Sequence, residues 1–289
     1  MFSRRSLIVA GAGAALASVG SAHAKTGAPD DLAALEAERG GRLGVSVLDT
    51  GTQRRLDYRA DERFAMCSTH KFLTVAAILE QVDKGAMSLD RKVAFTRTDL
   101  LSYAPIAKQH VDAGFMTVDA LAAATTVWSD NTADNLLLAL IGGPAGWTRY
   151  ARSLGDDVSR LDRIESALNS AIPGDPRDTT TPAAMVRNLD RVMLGKALSD
   201  ASRTRLEGWM FDSTITNTLL RAGMPEGWRV ADKSGAGENG TRNDIGMITR
   251  SGAAPLLAAV YYTQAPGDMA ARDRVLADVG RIIARTFAV

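Results

Sequence analysis

The sequence has few of the residues that covalent cross-links and metal centres need. Cys67 is its only cysteine, so an internal disulfide is impossible. Three histidines are present, and His23 lies in a segment that we expect to be removed. The remaining pair, His70 and His110, makes a poor zinc ligand set with one cysteine. We therefore expect no metal and no cofactor, and a metal-dependent hydrolase is disfavoured.

The sequence also lacks an excess of either charge. Its 289 residues include 34 Lys and Arg against 33 Asp and Glu, and we find no tandem repeat or low-complexity linker. This balance gives no electrostatic reason to bind nucleic acid or an anionic membrane surface, and neither partner is expected. Hydrophobic residues make up 46% of the chain, enough for a sizeable core in one large domain or two interleaved ones. No coiled-coil pattern stands out, so we expect a monomer.

The first 24 residues have the composition of an export signal. Arg4 and Arg5 precede an apolar run rich in Gly and Ala, and Ala-His-Ala at residues 22–24 is typical of a cleavage site. The run is too short and too rich in small residues for a membrane span. We predict cleavage after residue 24 and a periplasmic or secreted protein with no stable membrane association. The arginine pair favours a twin-arginine signal over an ordinary secretory one.

Hydrophobic periodicity predicts strands near both ends of the chain and helices between them. Imperfect alternation at residues 43–48 indicates strands within residues 42–66. Residues 228–230, 245–249 and 256–263 are the later strand candidates, and a closing helix follows. The middle has helical spacing, interrupted by an irregular stretch at residues 163–181. The predicted fold is α+β: an antiparallel sheet from the N- and C-terminal segments with flanking helices, and an inserted all-α domain. The domain bounds are 25–66 with 210–289, and 67–209.

Ser68-Thr69-His70-Lys71 is the one Ser-x-x-Lys sequence in the chain. Three residues along a helix make nearly one turn, so Ser68 and Lys71 are expected on one face. A serine is a weak nucleophile until a neighbouring base takes its proton, and a desolvated lysine can be that base. Taken alone, however, the motif is better explained by a helix cap at Ser68.

Two further short motifs follow in order along the chain. Ser-Asp-Asn at residues 129–131 could simply cap a helix beginning near Thr132, and Lys-Ser-Gly at 233–235 ends a predicted strand. A Lys-Thr-Gly at 25–27 precedes the serine and is taken as chance. A serine with Lys at +3, then Ser-Asp-Asn, then Lys-[Ser/Thr]-Gly marks class A β-lactamases and penicillin-binding proteins. The order of the three motifs makes a chance match improbable.

Residues 163–169, Arg-Ile-Glu-Ser-Ala-Leu-Asn, favour a hydrolase over a transpeptidase because they resemble the Glu-x-x-Leu-Asn loop of class A β-lactamases. Hydrolysis of an acyl-enzyme needs a water activated by a carboxylate, and Glu165 fits that role with Asn169 as second holder of the water. The resemblance also implies that Arg163 and Asp178 pair across the neck of this loop. It covers essentially the whole mature chain, including residues 64–69, 172–180, 221–223, 227–228 and 232–237.

The resemblance implies a catalytic role for each motif residue. Ser68 would attack the ring carbonyl of a penicillin or cephalosporin, and the backbone N–H groups of Ser68 and Ala236 would hold the oxyanion. Ser129 would pass a proton to the departing ring nitrogen. Lys71 and Lys233 would keep the site positive and tune the hydroxyls. Whether Glu165 or Lys71 takes the first proton from Ser68 is left open.

The resemblance also implies a set of substrate contacts. Ser234 and Arg242 would hold the substrate carboxylate, and Asn131 would bind the side-chain amide. Tyr103 resembles the aromatic residue that walls the entrance, although an ordinary packing role explains it nearly as well. The complete expected set is Asn131, Asn169, Ser234, Gly235, Arg242, Tyr103 and Gly237.

The chain departs from common family patterns at four positions. Ser166 stands where many relatives have proline, and we predict that the Glu165-Ser166 peptide bond is nevertheless cis. Thr216 stands where a glycine is more common, and its effect is left open. Cys67 resembles a cysteine of some carbapenem-hydrolysing relatives, but Gly237 occupies its partner's position, so Cys67 is expected to be a small buried residue.

Two other functions share most of these motifs. A D,D-peptidase or related penicillin-binding protein would have all of them except the loop that carries Glu165 (the glutamate loop, within residues 163–181). A non-hydrolytic β-lactam sensor ranks last, because no anchor or signalling domain is apparent. The substrate profile is not set by the motifs.

Overall fold

The computed structural model describes residues 27–288, and the predicted export signal lies outside them. The strands in chain order are β1 (Arg42–Asp49), β2 (Arg55–Tyr58), β3 (Phe64–Ala65), β4 (Lys92–Ala94), β5 (Phe115–Thr117), β6 (Thr179–Thr180), β7 (Arg229–Gly237), β8 (Thr241–Arg250) and β9 (Ala253–Thr263). The α-helices are α1 (Ala28–Arg39), α2 (Lys71–Asp83), α3 (Ala107–His110), α4 (Val118–Val127), α5 (Asn131–Leu140), α6 (Gly143–Ser153), α7 (Pro182–Leu189), α8 (Asp200–Asp212) and α9 (Met269–Phe287).

A five-stranded antiparallel sheet joins the two ends of the chain, as predicted. Its strand order is β2-β1-β9-β8-β7, so β9 lies between the first strand of the chain and β8. Val47 is opposite Ala258 on one side of β9, and Ala259 is opposite Ile245 on the other side. The later strands are longer than the sequence pattern indicated.

The two faces of the sheet bury different sets of residues. Alternate side chains of β9 point to opposite faces because the side-chain period of a strand is two. Leu256, Val260 and Tyr262 pack in the core formed with α1 and α9. Leu257 and Tyr261 pack in the larger core formed with the helices of the middle segment. This double burial explains why β9 has a nearly continuous apolar sequence.

Polar side chains mark where several helices begin. The side-chain oxygens of Thr117, Asp130, Thr181, Ser199 and Asp268 each accept a hydrogen bond from the backbone N–H three residues later. These caps satisfy donors that a helix N-terminus otherwise leaves unpaired. Within residues 27–288, no helix is both long enough and apolar enough to cross a membrane.

The middle segment departs from the all-helical expectation in one respect. Two short ladders lie in or at the edge of it, β4 with β5, and β6 with β3, where Phe64 is opposite Thr180. The first ladder closes the segment between residues 94 and 115, and the second holds the C-terminal end of the irregular 163–181 stretch against residues 64–65. Helix α8 also runs across the predicted boundary at residue 209. The division into two domains stays a prediction.

Candidate active site

Ser68 lies on a short 3₁₀ turn, Cys67–His70, that leads directly into α2. Cys67 precedes it with a φ of 45°, in the left-handed region that non-glycine residues seldom adopt. The first residue of α2 is Lys71, whose fully buried ammonium group donates to Ser68 Oγ at 3.2 Å. The predicted shared face of Ser68 and Lys71 is therefore confirmed.

The ammonium group of Lys71 joins three parts of the site. It donates to Asn131 Oδ1 at 2.6 Å and to the backbone oxygen of Ser129 at 2.9 Å. It also forms an ion pair with Glu165, with Nζ 2.8 Å from Oε1. These contacts bring the first two motifs and the glutamate loop together around one buried cation.

The Ser-Asp-Asn motif combines a structural residue with two site residues. Asp130 caps α5 by accepting from Ala133 N at 2.9 Å, and its other carboxylate oxygen accepts from the N–H groups of Ile106 and Ala107. The capping explanation is therefore correct for Asp130. Its neighbours Ser129 and Asn131 face Lys71 instead.

Strand β7 places the third motif, Lys-Ser-Gly at residues 233–235, against the turn Cys67–His70 that carries Ser68, the nucleophile turn. Lys233 Nζ donates to Ser129 Oγ at 3.0 Å and to the backbone oxygen of Ser234 at 2.9 Å. Burial away from water, reinforced by the nearby Lys71 charge, lowers the pKa of Lys233 to about 7. At Gly235 a Cβ atom would lie 2.9 Å from the backbone oxygen of Met66, so only glycine allows this close approach.

Glu165 reaches Ser68 from the irregular loop. Ser68 Oγ donates to Glu165 Oε1 at 3.3 Å, and Asn169 Nδ2 donates to Oε2 at 2.5 Å. The Glu165-Ser166 bond is cis, as predicted. The sequence analysis missed Asn135, whose side chain bonds the backbone N–H and C=O of Glu165, both at 3.0 Å. Its spacing of four from Asn131 on one helix face was the available signal.

The neck of this loop is closed by the expected ion pair. Arg163 Nε lies 2.5 Å from Asp178 Oδ2. The other oxygen of Asp178 accepts from the backbone N–H groups of Asp162 and Arg163, at 2.7 and 2.9 Å. Asp178 is fully buried, so one carboxylate organises both ends of the loop that carries Glu165.

A cleft of about 340 Å³ opens above Ser68. Tyr103 walls it with a side chain that is 47% exposed, as expected of a residue at the entrance. Two apolar residues of the lining, Ile215 and Met269, were not predicted. The full lining is Ser68, Tyr103, Ser129, Asn131, Asn169, Ile215, Ser234, Ala236, Arg242 and Met269.

Arg242 reaches the cleft with its charge already paired. Its Nε donates to Asp273 Oδ1 at 2.6 Å, and the two side chains are 10% and 15% exposed. Asp273 lies on α9 and also accepts from Thr218 Oγ1 at 2.6 Å. Any anion that binds Arg242 must share the guanidinium group with this carboxylate.

The structure explains the departure at Thr216. Its hydroxyl donates to Asp232 Oδ1 at 2.8 Å, and Arg221 Nη2 donates to the same oxygen at 2.6 Å. These bonds anchor the residue directly before Lys233 on β7. Cys67 is free and buried, as predicted, and a Cβ at Gly237 would lie 2.6 Å from its sulfur.

One group of side chains among residues 27–288 has the composition of a metal site. Ligand atoms of His70, Asp134 and Glu165 lie within 4.8 Å of one another, and all three residues are buried. Each is engaged otherwise: Glu165 pairs with Lys71, and His70 Nε2 lies 2.9 Å from Asp134 Oδ2. The ammonium group of Lys71 already supplies the positive charge that a metal ion would bring to these carboxylates.

Comparison with known proteins identifies the family. A model of the β-lactamase enzyme family matches residues 28–287. β-Lactamase CTX-M-97 of Escherichia coli is 47% identical over 89% of this chain and 88% of its own length. β-Lactamase OXY-2 of Klebsiella oxytoca is 44% identical over 94% of this chain and 91% of its own length.

Solved structures agree with this assignment. An ancestral class A β-lactamase superposes with a TM-score of 0.89 and 51% identity, covering 90% of this chain and all of that one. The last common ancestor of Gram-negative class A enzymes gives 0.88 and 52% identity, with 90% and 99% coverage. The chain therefore belongs to the class A β-lactamase family and is a hydrolase of the β-lactam ring.

Proposed function

We propose that the chain hydrolyses penicillins and cephalosporins through an acyl-enzyme on Ser68, and thereby confers antibiotic resistance. The observation that carries this proposal is the position of Ser68 Oγ, which lies 3.3 Å from Glu165 Oε1 and 3.2 Å from Lys71 Nζ. A serine nucleophile needs a base within hydrogen-bond reach. The Glu165 carboxylate meets that requirement directly, and Lys71 meets it in its neutral form, after passing a proton to Glu165 across their 2.8 Å contact.

In the acylation step Ser68 Oγ attacks the β-lactam carbonyl carbon while its proton passes to Glu165 or Lys71. The negative charge that develops on the carbonyl oxygen is held by the backbone N–H groups of Ser68 and Ala236. Loss of one such donor typically reduces the rate by roughly 10²–10³. The ring C–N bond then breaks, and the nitrogen takes a proton from Ser129, which Lys233 contacts at 3.0 Å. Ser129 recovers a proton from Lys71, 3.4 Å from its hydroxyl, so the proton removed from Ser68 ends on the ring nitrogen and Glu165 is again a carboxylate.

The substrate is oriented by the walls of the cleft. Its carboxylate binds Ser234 and Arg242, near the positive charge of Lys233, and its side-chain amide binds Asn131. Tyr103 closes the entrance. Gly235 allows the turn that carries Ser68 to lie close to β7, and Gly237 does the same for the loop that carries Glu165, because a side chain at either position would collide with backbone atoms.

Deacylation needs a water between the ester carbonyl and a base. Glu165 takes a proton from this water as it attacks, and the Ser68 ester bond breaks while Glu165 returns the proton to Ser68 Oγ, 3.3 Å away. Asn169 supports the water and holds the second carboxylate oxygen of Glu165. Without this step the enzyme would remain acylated, like a penicillin-binding protein.

We further propose that the chain is exported by its first 24 residues, through the twin-arginine route, and acts as a periplasmic or secreted monomer. The arginine pair, the apolar run and the Ala-His-Ala sequence support this proposal. We also propose that the chain has two domains, with the nucleophile and the glutamate loop on the inserted segment.

Turnover of a chromogenic cephalosporin, with intact-mass analysis of an early quench, tests the mechanism. We expect many turnovers for the unmodified protein, none for Ser68→Ala, and a lasting adduct of one substrate mass for Glu165→Gln. Asp157→Asn, a change at an exposed acid, is the matched control and should turn over normally. A single turnover and a long-lived adduct in the unmodified protein would instead identify a penicillin-binding protein or sensor.

A further inference from the structure

A second buried pair of titratable side chains lies directly behind the nucleophile turn. His70 Nε2 is 2.9 Å from Asp134 Oδ2, and His70 Nδ1 is 2.8 Å from the backbone oxygen of Cys67. Neither side chain has any exposed surface. A carbonyl oxygen can only accept, so Nδ1 carries a proton, and another proton is shared between Nε2 and the carboxylate.

The electrostatics of the pair favour the ionic form. Burial lowers the pKa of His70, but the adjacent Asp134 carboxylate, together with that of Glu165, outweighs this effect and leaves the pKa raised. Burial raises the pKa of Asp134, but the His70 ring, together with the Lys71 charge, outweighs this effect and leaves the pKa lowered. The pair is neutral as a whole, which is how proteins tolerate buried charge.

His70 and Asp134 do not complete a Ser-His-Asp triad with Ser68, although the residue types would allow it. A triad histidine directs one ring nitrogen to the serine oxygen. Both ring nitrogens of His70 are engaged elsewhere, and the contacts of Ser68 Oγ are with Lys71 and Glu165. The pair therefore acts on the reaction only through other residues.

Helix α5 shows which residues these are. Asn131, Asp134 and Asn135 have spacings of three and four, and lie on one face of the helix. Asn131 accepts from Lys71, and Asn135 holds the backbone of Glu165 with two hydrogen bonds. Between them, Asp134 is the residue of this face that bonds to the nucleophile turn through His70.

We propose that the hydrogen bond between His70 and Asp134 is a positioning element for deacylation. It fixes α5 against the turn that carries Ser68, and α5 in turn holds Glu165 at its distance from Ser68 Oγ. The inference rests on the proposed role of Glu165 as the base for water. Displacement of a catalytic group by about 1 Å can cost roughly a hundredfold in rate.

The test variants distinguish the hydrogen bond between His70 and Asp134 from the negative charge of Asp134. Asp134→Asn keeps a hydrogen bond, because the amide N–H can donate to a neutral His70 Nε2, and turnover should stay within about threefold of the unmodified protein. The double variant His70→Leu, Asp134→Leu removes the link without leaving an unpaired buried charge. We expect its acylation rate to change by less than about threefold and its deacylation rate to fall by roughly 10- to 100-fold.

The assay is stopped-flow turnover of a chromogenic cephalosporin with intact-mass analysis of the quenched steady state. The double variant should accumulate acyl-enzyme. The matched control is Asp49→Leu, Arg250→Leu, which removes an ion pair of 3.0 Å that is nearly as buried but lies at the far end of the sheet. This control should lose stability without accumulating adduct.

A double variant that unfolds cooperatively and turns over with no adduct would overturn the inference. If the double variant does not fold, Asp134→Thr replaces it, since threonine is too short to reach His70, and the same two outcomes apply.

Glu165→Gln is measured in the same series. If Glu165→Gln gives no adduct, the proposed function fails. If Glu165→Gln gives adduct and the His70–Asp134 variants do not, only the positioning role fails.

Discussion

Asp273 competes with the substrate for Arg242, and Asp273→Asn should make that competition measurable. The carboxylate lies 2.6 Å from Arg242 Nε, and both side chains are largely shielded from water. The amide oxygen of asparagine can still accept from Arg242 Nε, and its N–H group can donate to the Thr218 hydroxyl oxygen, so the guanidinium group keeps its place. What is lost is the negative charge beside the proposed binding site for the substrate carboxylate.

The size of the effect follows from the geometry. A hydrogen bond to a charged partner contributes about 1.5–3 kcal/mol, and an incoming carboxylate must weaken the existing one. In Asp273→Asn we expect the substrate carboxylate to bind Arg242 more favourably by about 1 kcal/mol, because the bond that it weakens is no longer to a charged group. This difference corresponds to a roughly fivefold higher affinity for the substrate. We therefore expect kcat/KM for benzylpenicillin to rise about fivefold in Asp273→Asn, with kcat nearly unchanged.

A double-mutant cycle ties this gain to Arg242. In an Arg242→Ala background, Asp273→Asn should have no effect, because there is no guanidinium charge to share. Steady-state kinetics of the four proteins measure the coupling. A kcat/KM that stays constant or falls in the single variant, or a gain that persists without Arg242, would refute the reasoning.

Three further predictions follow from the site. Gly237→Ala should slow deacylation about tenfold, because its Cβ would lie 2.6 Å from the backbone oxygen of Asn169 and displace the glutamate loop; unchanged single-turnover kinetics would contradict this. Asp178→Ala should lower the free energy of unfolding in urea by about 3 kcal/mol, since Arg163 and two N–H groups lose their acceptor; a loss below about 1 kcal/mol would be too small for that role. Lys233 has a pKa of about 7 in the folded protein, against 10.5 in the unfolded chain. Between these two pH values the unfolded chain binds more protons, so the free energy of unfolding should rise with pH, by at most about 1.4 kcal/mol per pH unit. The urea midpoint for unfolding of Lys233→Met should not show this rise with pH.

Local sequence signals predicted most of the fold and the catalytic set. Hydrophobic patterns located segments of all five strands of the sheet, and three short motifs together with Glu165 lie around one cleft in the structure. These signals work because each depends on neighbours within about one helical turn or one strand. The cis bond at Ser166 and the pair of Arg163 with Asp178 were likewise predictable, through the family resemblance.

The features that were missed depend on contacts between distant segments. His70 and Asp134 are 64 residues apart, and each alone has the pattern of an ordinary helix residue. Asn135, Ile215 and Met269 join the site because helices and loops from different parts of the chain converge on it. The partner of Thr216 lies on β7, which a one-dimensional pattern cannot show.

The central place of β9 has a consequence for how the protein is made. A ribosome releases β1 about 200 residues before β9, and at 5–20 residues per second the delay is roughly 10–40 s. During that time β1 has only the short β2 as a sheet neighbour, because its other partner does not yet exist. Lys233, Ser234 and Arg242 also belong to this late-synthesised part of the chain. Catalytic competence therefore comes at the end of translation, and incomplete chains carry the nucleophile without the strands that complete its site.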